Sequence, residues 1–181
     1  NETGADGKIT FVRNIIGMWI SNECVRAWGD NLDWKVLDKE TENNMGYEGY
    51  IDPTDLMFMA PGTTDCPMDM RVREYLISHG FDAPINKGEY MIAIYRGLAK
   101  TYAEALETVK NLTGKPLKSL RIVGGGSKNR LLNDLTAKET GLKIQVGPSE
   151  ATAIGNILYQ ARSCGFIPSV EYGINEILSS C

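Results

Sequence analysis

Apolar positions along the chain repeat with two different periods, and the change of period divides it. From Thr10, Phe11, Ile15, Met18, Trp19 and Val25 recur at threes and fours, which predicts a helix with one apolar face. Gly29 to Asp33 ends that pattern. Before it, residues 1–8 are polar and glycine-rich and read as a loop. After it, residues 38–47 ("DKETENNMGY") are polar and read as a second surface loop. Pro53 and Pro61 interrupt the next stretch, so irregular structure or a short strand is expected around an apolar core at Leu56–Met59. Residues 68–79 read as a helix stopped at Gly80. The longest helix follows, with Met91, Ile94, Tyr95, Leu98, Tyr102, Leu106 and Val109 on one face; Gly114 stops it and Pro116 follows.

Beyond Pro116 the pattern alternates. "KSLRIVG" reads as a strand, "SKNRLLNDLTAKETG" as a helix and "LKIQVG" as a second strand. "EATAIGNILYQARSCG" and "SVEYGINEILSS" read as two further helices. Strand, helix, strand, helix predicts an α/β fold with a parallel sheet. Two convincing strands are few for such a sheet. Either the first half hides more, or the chain is a helix-rich piece of a larger fold.

Composition narrows the function only slightly. Hydrophobic residues make up 43% of 181 residues, which suits one globular domain. A net charge of −4 with no basic stripe argues against nucleic acid as a partner, and no apolar run is long enough to span a bilayer. Cys24, Cys66, Cys164 and Cys181 are widely spaced and His79 is the lone histidine, so no metal-ligand pattern appears. The cysteines read as reduced thiols of a cytoplasmic protein.

The chemistry concentrates where the first late strand meets its helix. Gly124, Gly125 and Gly126 lack Cβ atoms, so the turn can take positive φ and a ligand can lie against its backbone. Ser127 is placed to cap the following helix, whose first N–H groups would favour an anion. Neither the GxxxxGK[ST] spacing nor the third glycine of a dinucleotide fingerprint is present. A phosphate-holding turn and a turn for close strand–helix packing both fit these residues. "GPSEATAIGN" adds Ser149 as a candidate cap, Glu150 in a first turn, and small residues at Ala151, Ala153 and Gly155 for close packing. Asn14 and Arg13 read as polar positions within the first helix.

Together, "IVGGGSKNRLLNDLTAKETGLKIQVGPSEATAIGNILYQA" and "NETGADGKITFVRNIIGMWISNE" resemble the FGGY carbohydrate kinases, over nearly the whole chain. The resemblance is weakest across residues 35–85. It implies an actin-like, ribonuclease-H-like C-terminal ATPase domain spanning residues 1–181. It further implies ATP and Mg²⁺ as cofactors, a ketose substrate with L-rhamnulose first and L-fuculose or D-xylulose as alternatives, and a sugar-binding N-terminal domain as partner. By the same resemblance Gly125 lies against the nucleotide phosphates, with Gly124 and Gly126 shaping the turn, and Asn129 lies near the adenosine. The resemblance also matches Asn22 to a nucleotide-contacting position where related enzymes can carry Gln, a side chain one methylene longer. Asn14 occupies a sugar-contacting position. The family's catalytic Asp falls before residue 1, so the resemblance implies a truncated, inactive piece with no catalytic residue or metal ligand of its own. An incomplete sheet would leave an edge for self-association.

Overall fold

The computed structural model describes residues 2–3, 7, 9–29 and 32–179. They fold as two compact units, one of residues 1–118 and 130–143, the other of residues 119–129 and 144–181.

The first unit opens with a small antiparallel pair, β1 (Glu2–Thr3) and β2 (Ile9–Thr10), in the register Glu2↔Thr10. Glu2 and Thr3 thus lie in a strand where a loop is expected over residues 1–8, of which residues 1, 4–6 and 8 lie outside the described residues. The helix expected from Thr10 begins only at Trp19, as α1 (Trp19–Trp28). Residues 11–17 have no regular structure. Two consecutive β-branched isoleucines followed by Gly17 are poor helix formers, and their local cost outweighs the apolar spacing. Asn14 and Arg13 therefore lie exposed on an irregular segment, not within a helix.

The surface loop expected at 38–47 is largely helical. α2 (Trp34–Asn43) is capped by Asp33, whose carboxylate accepts the Lys35 N–H at 2.8 Å. Its buried residues are Leu37 and Thr41, and the Thr41 hydroxyl bonds back to the Leu37 carbonyl. The apolar residues of this helix, Trp34, Val36 and Leu37, all precede residue 38, so the polar run that follows gives no sign of it.

α3 (Met68–Ser78) and α4 (Lys87–Thr113) lie where the periodicity predicts them. Asn86 caps α4 by accepting the Glu89 N–H at 3.0 Å, and Gly114 closes it at φ 64°. Within 49–62 the expected irregular structure is a single 3₁₀ turn, Leu56–Phe58. Of its expected apolar core only Phe58 is buried, while Leu56 is 84% exposed. Met91, Ile94, Tyr95 and Leu98 of α4 are fully buried against Ile20, Cys24, Leu37, Val72 and Leu76. α5 (Arg130–Thr140) completes this core with Leu131, Leu132 and Leu135, packed on α4. An ion pair of 2.6 Å joins Arg130 of α5 to Glu42 of α2.

The second unit holds β3 (Ser119–Ile122) and β4 (Lys143–Val146), paired in a two-stranded parallel sheet, with α6 (Ala151–Ser163) and α7 (Val170–Ser179). Among the described residues, no strand lies between Thr10 and Ser119. The described part of the first half therefore supplies no further strand of this sheet. Leu158 of α6 packs over Gly173 of α7, where an added Cβ would lie 2.4 Å from the leucine Cδ2.

Candidate functional site

The three-glycine turn lies in the second unit, directly after β3. Gly124 has φ 85° and ψ −178°, a region open in practice to glycine alone. Gly125 to Lys128 then form one 3₁₀ turn. α5 starts at Arg130, so Ser127 is not its cap. Ser127 sits inside the turn, buried, with its N–H on the Gly124 carbonyl at 3.1 Å. The 3₁₀ turn therefore adds its own N–H groups to those at the start of the helix as donors that could meet an anion.

Several of these groups are already engaged. The Gly124 N–H donates to the Pro148 carbonyl at 3.2 Å, and the Asn129 N–H to the Gly126 carbonyl at 3.1 Å. The N–H groups of Gly125 and Gly126 have no acceptor among the described residues. A Cβ added at Gly124, Gly125 or Gly126 would have no atom within 4 Å. The glycines are thus not demanded by close strand–helix packing, which removes one of the two sequence readings. Close packing falls on Gly147 instead, where an added Cβ would come within 2.8 Å of Val123 Cγ1. Only Gly124 needs glycine for the backbone. At Gly125 and Gly126 the fold leaves a bare, open stretch of main chain with two N–H donors.

Other expectations around "GPSEATAIGN" are corrected. Glu150, not Ser149, stands at the N-cap position of α6, and it makes no side-chain cap bond. The small residues do not pack closely against a neighbour: Ala153 is exposed and Gly155 has nothing within 4 Å. Ala151 and Gly155 instead line an apolar cleft of about 340 Å³ with Val123, Gly147, Pro148 and Ile154.

Gly124, Gly125, Gly126 and Asn129 belong to the second unit, and Asn14 and Asn22 to the first. Asn129 ends the 3₁₀ turn, half-buried. Asn22 projects into solvent from α1, on the turn next to buried Ser21 and Cys24. The residue that sequence reasoning missed is its neighbour Glu23. Its side chain is 12% exposed and accepts the Gly62 N–H at 3.0 Å. Nothing local in the sequence pairs residues 39 positions apart. The Arg26 guanidinium beside Glu23 holds its carboxyl below the usual carboxylate range, and the Gly62 N–H adds to this against partial burial. Burial pushes the Cys24 thiol strongly up, so it is an inert core group. Cys24, Cys66 and Cys164 are free thiols, and Cys181 lies outside the described residues.

No cluster of three or more His, Cys, Asp or Glu side chains that could hold a metal ion occurs among the described residues. No helix among them is long and apolar enough to cross a membrane.

Comparison with known proteins gives this geometry a family. The sequence profile of the FGGY family of carbohydrate kinases, C-terminal domain, matches residues 1–164. A rhamnulokinase of Bacteroides thetaiotaomicron is 36% identical over 179 residues, which cover 99% of this chain and 36% of that protein. Rhamnulokinases of Ligilactobacillus salivarius and Enterococcus faecalis are 34% and 35% identical, over 99% and 94% of this chain and 36% and 34% of theirs. The chain thus spans about a third of the length of the curated relatives it matches. By the profile match and these relatives, the chain belongs to the FGGY family of carbohydrate kinases and corresponds to its C-terminal domain.

Proposed function

We propose that this chain is the ATP-binding part of a cytoplasmic kinase that converts L-rhamnulose to L-rhamnulose 1-phosphate, built as an actin-like ATPase domain over residues 1–181. The observation that carries this reading is the open backbone at Gly125 and Gly126, with two unengaged N–H groups and no atom within 4 Å of either missing Cβ. Adjacent backbone N–H donors on bare, open main chain suit a phosphate oxygen. Gly124 sets the turn through its glycine-only conformation. Asn129, on the same turn, would contact the adenosine, Asn22 a second part of the nucleotide, and Asn14 the sugar. Mg²⁺ would be carried on the nucleotide's phosphates, whose charge it would help neutralise.

Phosphoryl transfer needs mainly positioning and charge stabilisation. The sugar hydroxyl oxygen attacks the γ-phosphorus, the bond to the ADP oxygen breaks, and the hydroxyl proton passes to a base. This chain supplies no such base in the proposal. The base and most sugar contacts belong to a sugar-binding N-terminal domain of the full-length protein. The role of the glycine turn is to hold the phosphates with fixed backbone dipoles, which cost no reorganisation during the transfer.

The test is an ADP-release assay on the full-length protein over a ketose panel with Mg·ATP. The expected outcome is turnover with L-rhamnulose well above the other ketoses. Turnover with L-fuculose or D-xylulose alone overturns the substrate assignment. Nucleotide binding without turnover on any ketose leaves a non-catalytic nucleotide-binding module.

A further inference from the structure

Glu23 and Arg26 of α1 grip one distant residue, Gly62, by its N–H and its C=O. The Glu23 carboxylate accepts the Gly62 N–H at 3.0 Å, and Arg26 Nη2 donates to the Gly62 carbonyl at 3.0 Å. The two side chains also bind each other, with Arg26 Nε at 3.0 Å and Nη2 at 2.6 Å from the carboxylate. The result is a closed ring between two turns of helix and a loop more than thirty residues away. Gly62 is held tightly, since a Cβ there would lie 2.7 Å from the Met68 N. Arg71 fixes the same loop from within, donating to the carbonyls of Met57 at 3.1 Å, Ala60 at 2.7 Å and Pro61 at 3.2 Å. The loop is therefore a rigid anchor, not a strap that follows α1.

Asn22 precedes Glu23 on α1, so it lies about 100° around the helix axis from the ring. α1 itself has no side-chain cap to fix its N-terminal end. Its rotational setting rests on the buried Ile20, Ser21 and Cys24, on the Trp28 Nε1–H bond to the Asp69 carboxylate at 3.0 Å, and on this ring. We propose that Glu23 is a positioning residue for nucleotide binding: by gripping the Gly62 peptide it sets the rotation of α1 and so the direction in which Asn22 projects. The proposal rests on the nucleotide role of Asn22 given above. It adds a residue that touches no substrate and acts through its neighbour.

A double-mutant cycle on the full-length protein tests it, with steady-state constants for ATP and for ketose read separately. Glu23→Ala is expected to raise the KM for ATP about tenfold, with kcat and the ketose KM within about twofold. Glu23→Gln keeps an oxygen for the Gly62 N–H and is expected to recover most of the loss. In an Asn22→Ala background, Glu23→Ala is expected to add little. If Glu23→Ala does not fold, Arg26→Ala takes its place in the cycle. That side chain is 58% exposed, and its loss is expected to raise the ATP KM about threefold only when Asn22 is present. Additive effects of Asn22 and Glu23, or equal changes in ATP and ketose KM, overturn the positioning role. A wild-type protein with no ATP-dependent turnover fails the kinase reading instead, so the two failures are distinct.

Discussion

At the scale of single residues, the structure separates the one glycine of the turn that the backbone requires from the two that it does not. Gly124 sits at φ 85° and ψ −178°, where a side chain is strained whatever the space around it. Gly125 has no such φ and nothing within 4 Å of a missing Cβ. Gly124→Ala should cost about 1–3 kcal/mol of stability, seen as a lower urea midpoint. Gly125→Ala should leave that midpoint unchanged while weakening ADP binding about tenfold or more by calorimetry. Unchanged ADP affinity in Gly125→Ala would remove the turn from the nucleotide site. The run of three glycines was legible in the sequence as a turn. Which glycine serves the backbone and which stands open was not, because that depends on φ and on the space around each Cβ.

At the scale of elements, local signals succeeded where one helix carried its own start, stop and face. α4 has an Asn cap, a wide apolar face and a left-handed glycine at its end, and all three are visible in the chain. Asn86→Ala should therefore cost about 1 kcal/mol, readable as a fall in the urea midpoint. α2 carries an Asp33 cap, but its apolar residues Trp34, Val36 and Leu37 all precede the polar run at 38–43 that reads as a loop. Its position is set by contact with α4, where Gly88 lets the Glu40 carbonyl approach within 2.6 Å of the missing Cβ. Contact of that kind has no trace in periodicity.

The tie from α1 to the Gly62 loop also gives a pH dependence. Glu23 has a folded-state pKa held below its ordinary value of 4.5, mainly by Arg26. The stability it contributes is fully present above that value, and it is lost as pH falls through the lowered one. Unfolding of wild type and Glu23→Gln, followed between neutral and strongly acidic pH, should show two curves that converge below about pH 4.5. Parallel curves would mean that the carboxylate contributes nothing to the fold.

At the scale of the whole molecule, burial is uneven. The large apolar core gathers α1 to α5 in the first unit, whereas Leu158 is the buried apolar side chain of the second among the described residues. The second unit has a two-stranded sheet, with Val123 and Val146 at its strand ends 48% and 62% exposed. Unpaired strand edges beside exposed valines favour association. Light scattering on this chain alone should show a mass that rises with concentration. A single monomer mass at high concentration would contradict that expectation.

The sequence by itself determined the order of most elements, the change from helical to alternating pattern, and the family, since these depend on spacing and on residue identity along the chain. It misplaced the start of α1 and missed α2, because local propensity and tertiary contact outweighed the apolar count in both. Only the tertiary structure decided that the N–H groups of Gly124 and Asn129 in the glycine turn are taken, while those of Gly125 and Gly126 meet no acceptor among the described residues. Only it joined Glu23 and Arg26 to Gly62. Both facts concern which backbone donors are already taken, and that is settled by the partners a group meets in space rather than by its neighbours in the chain.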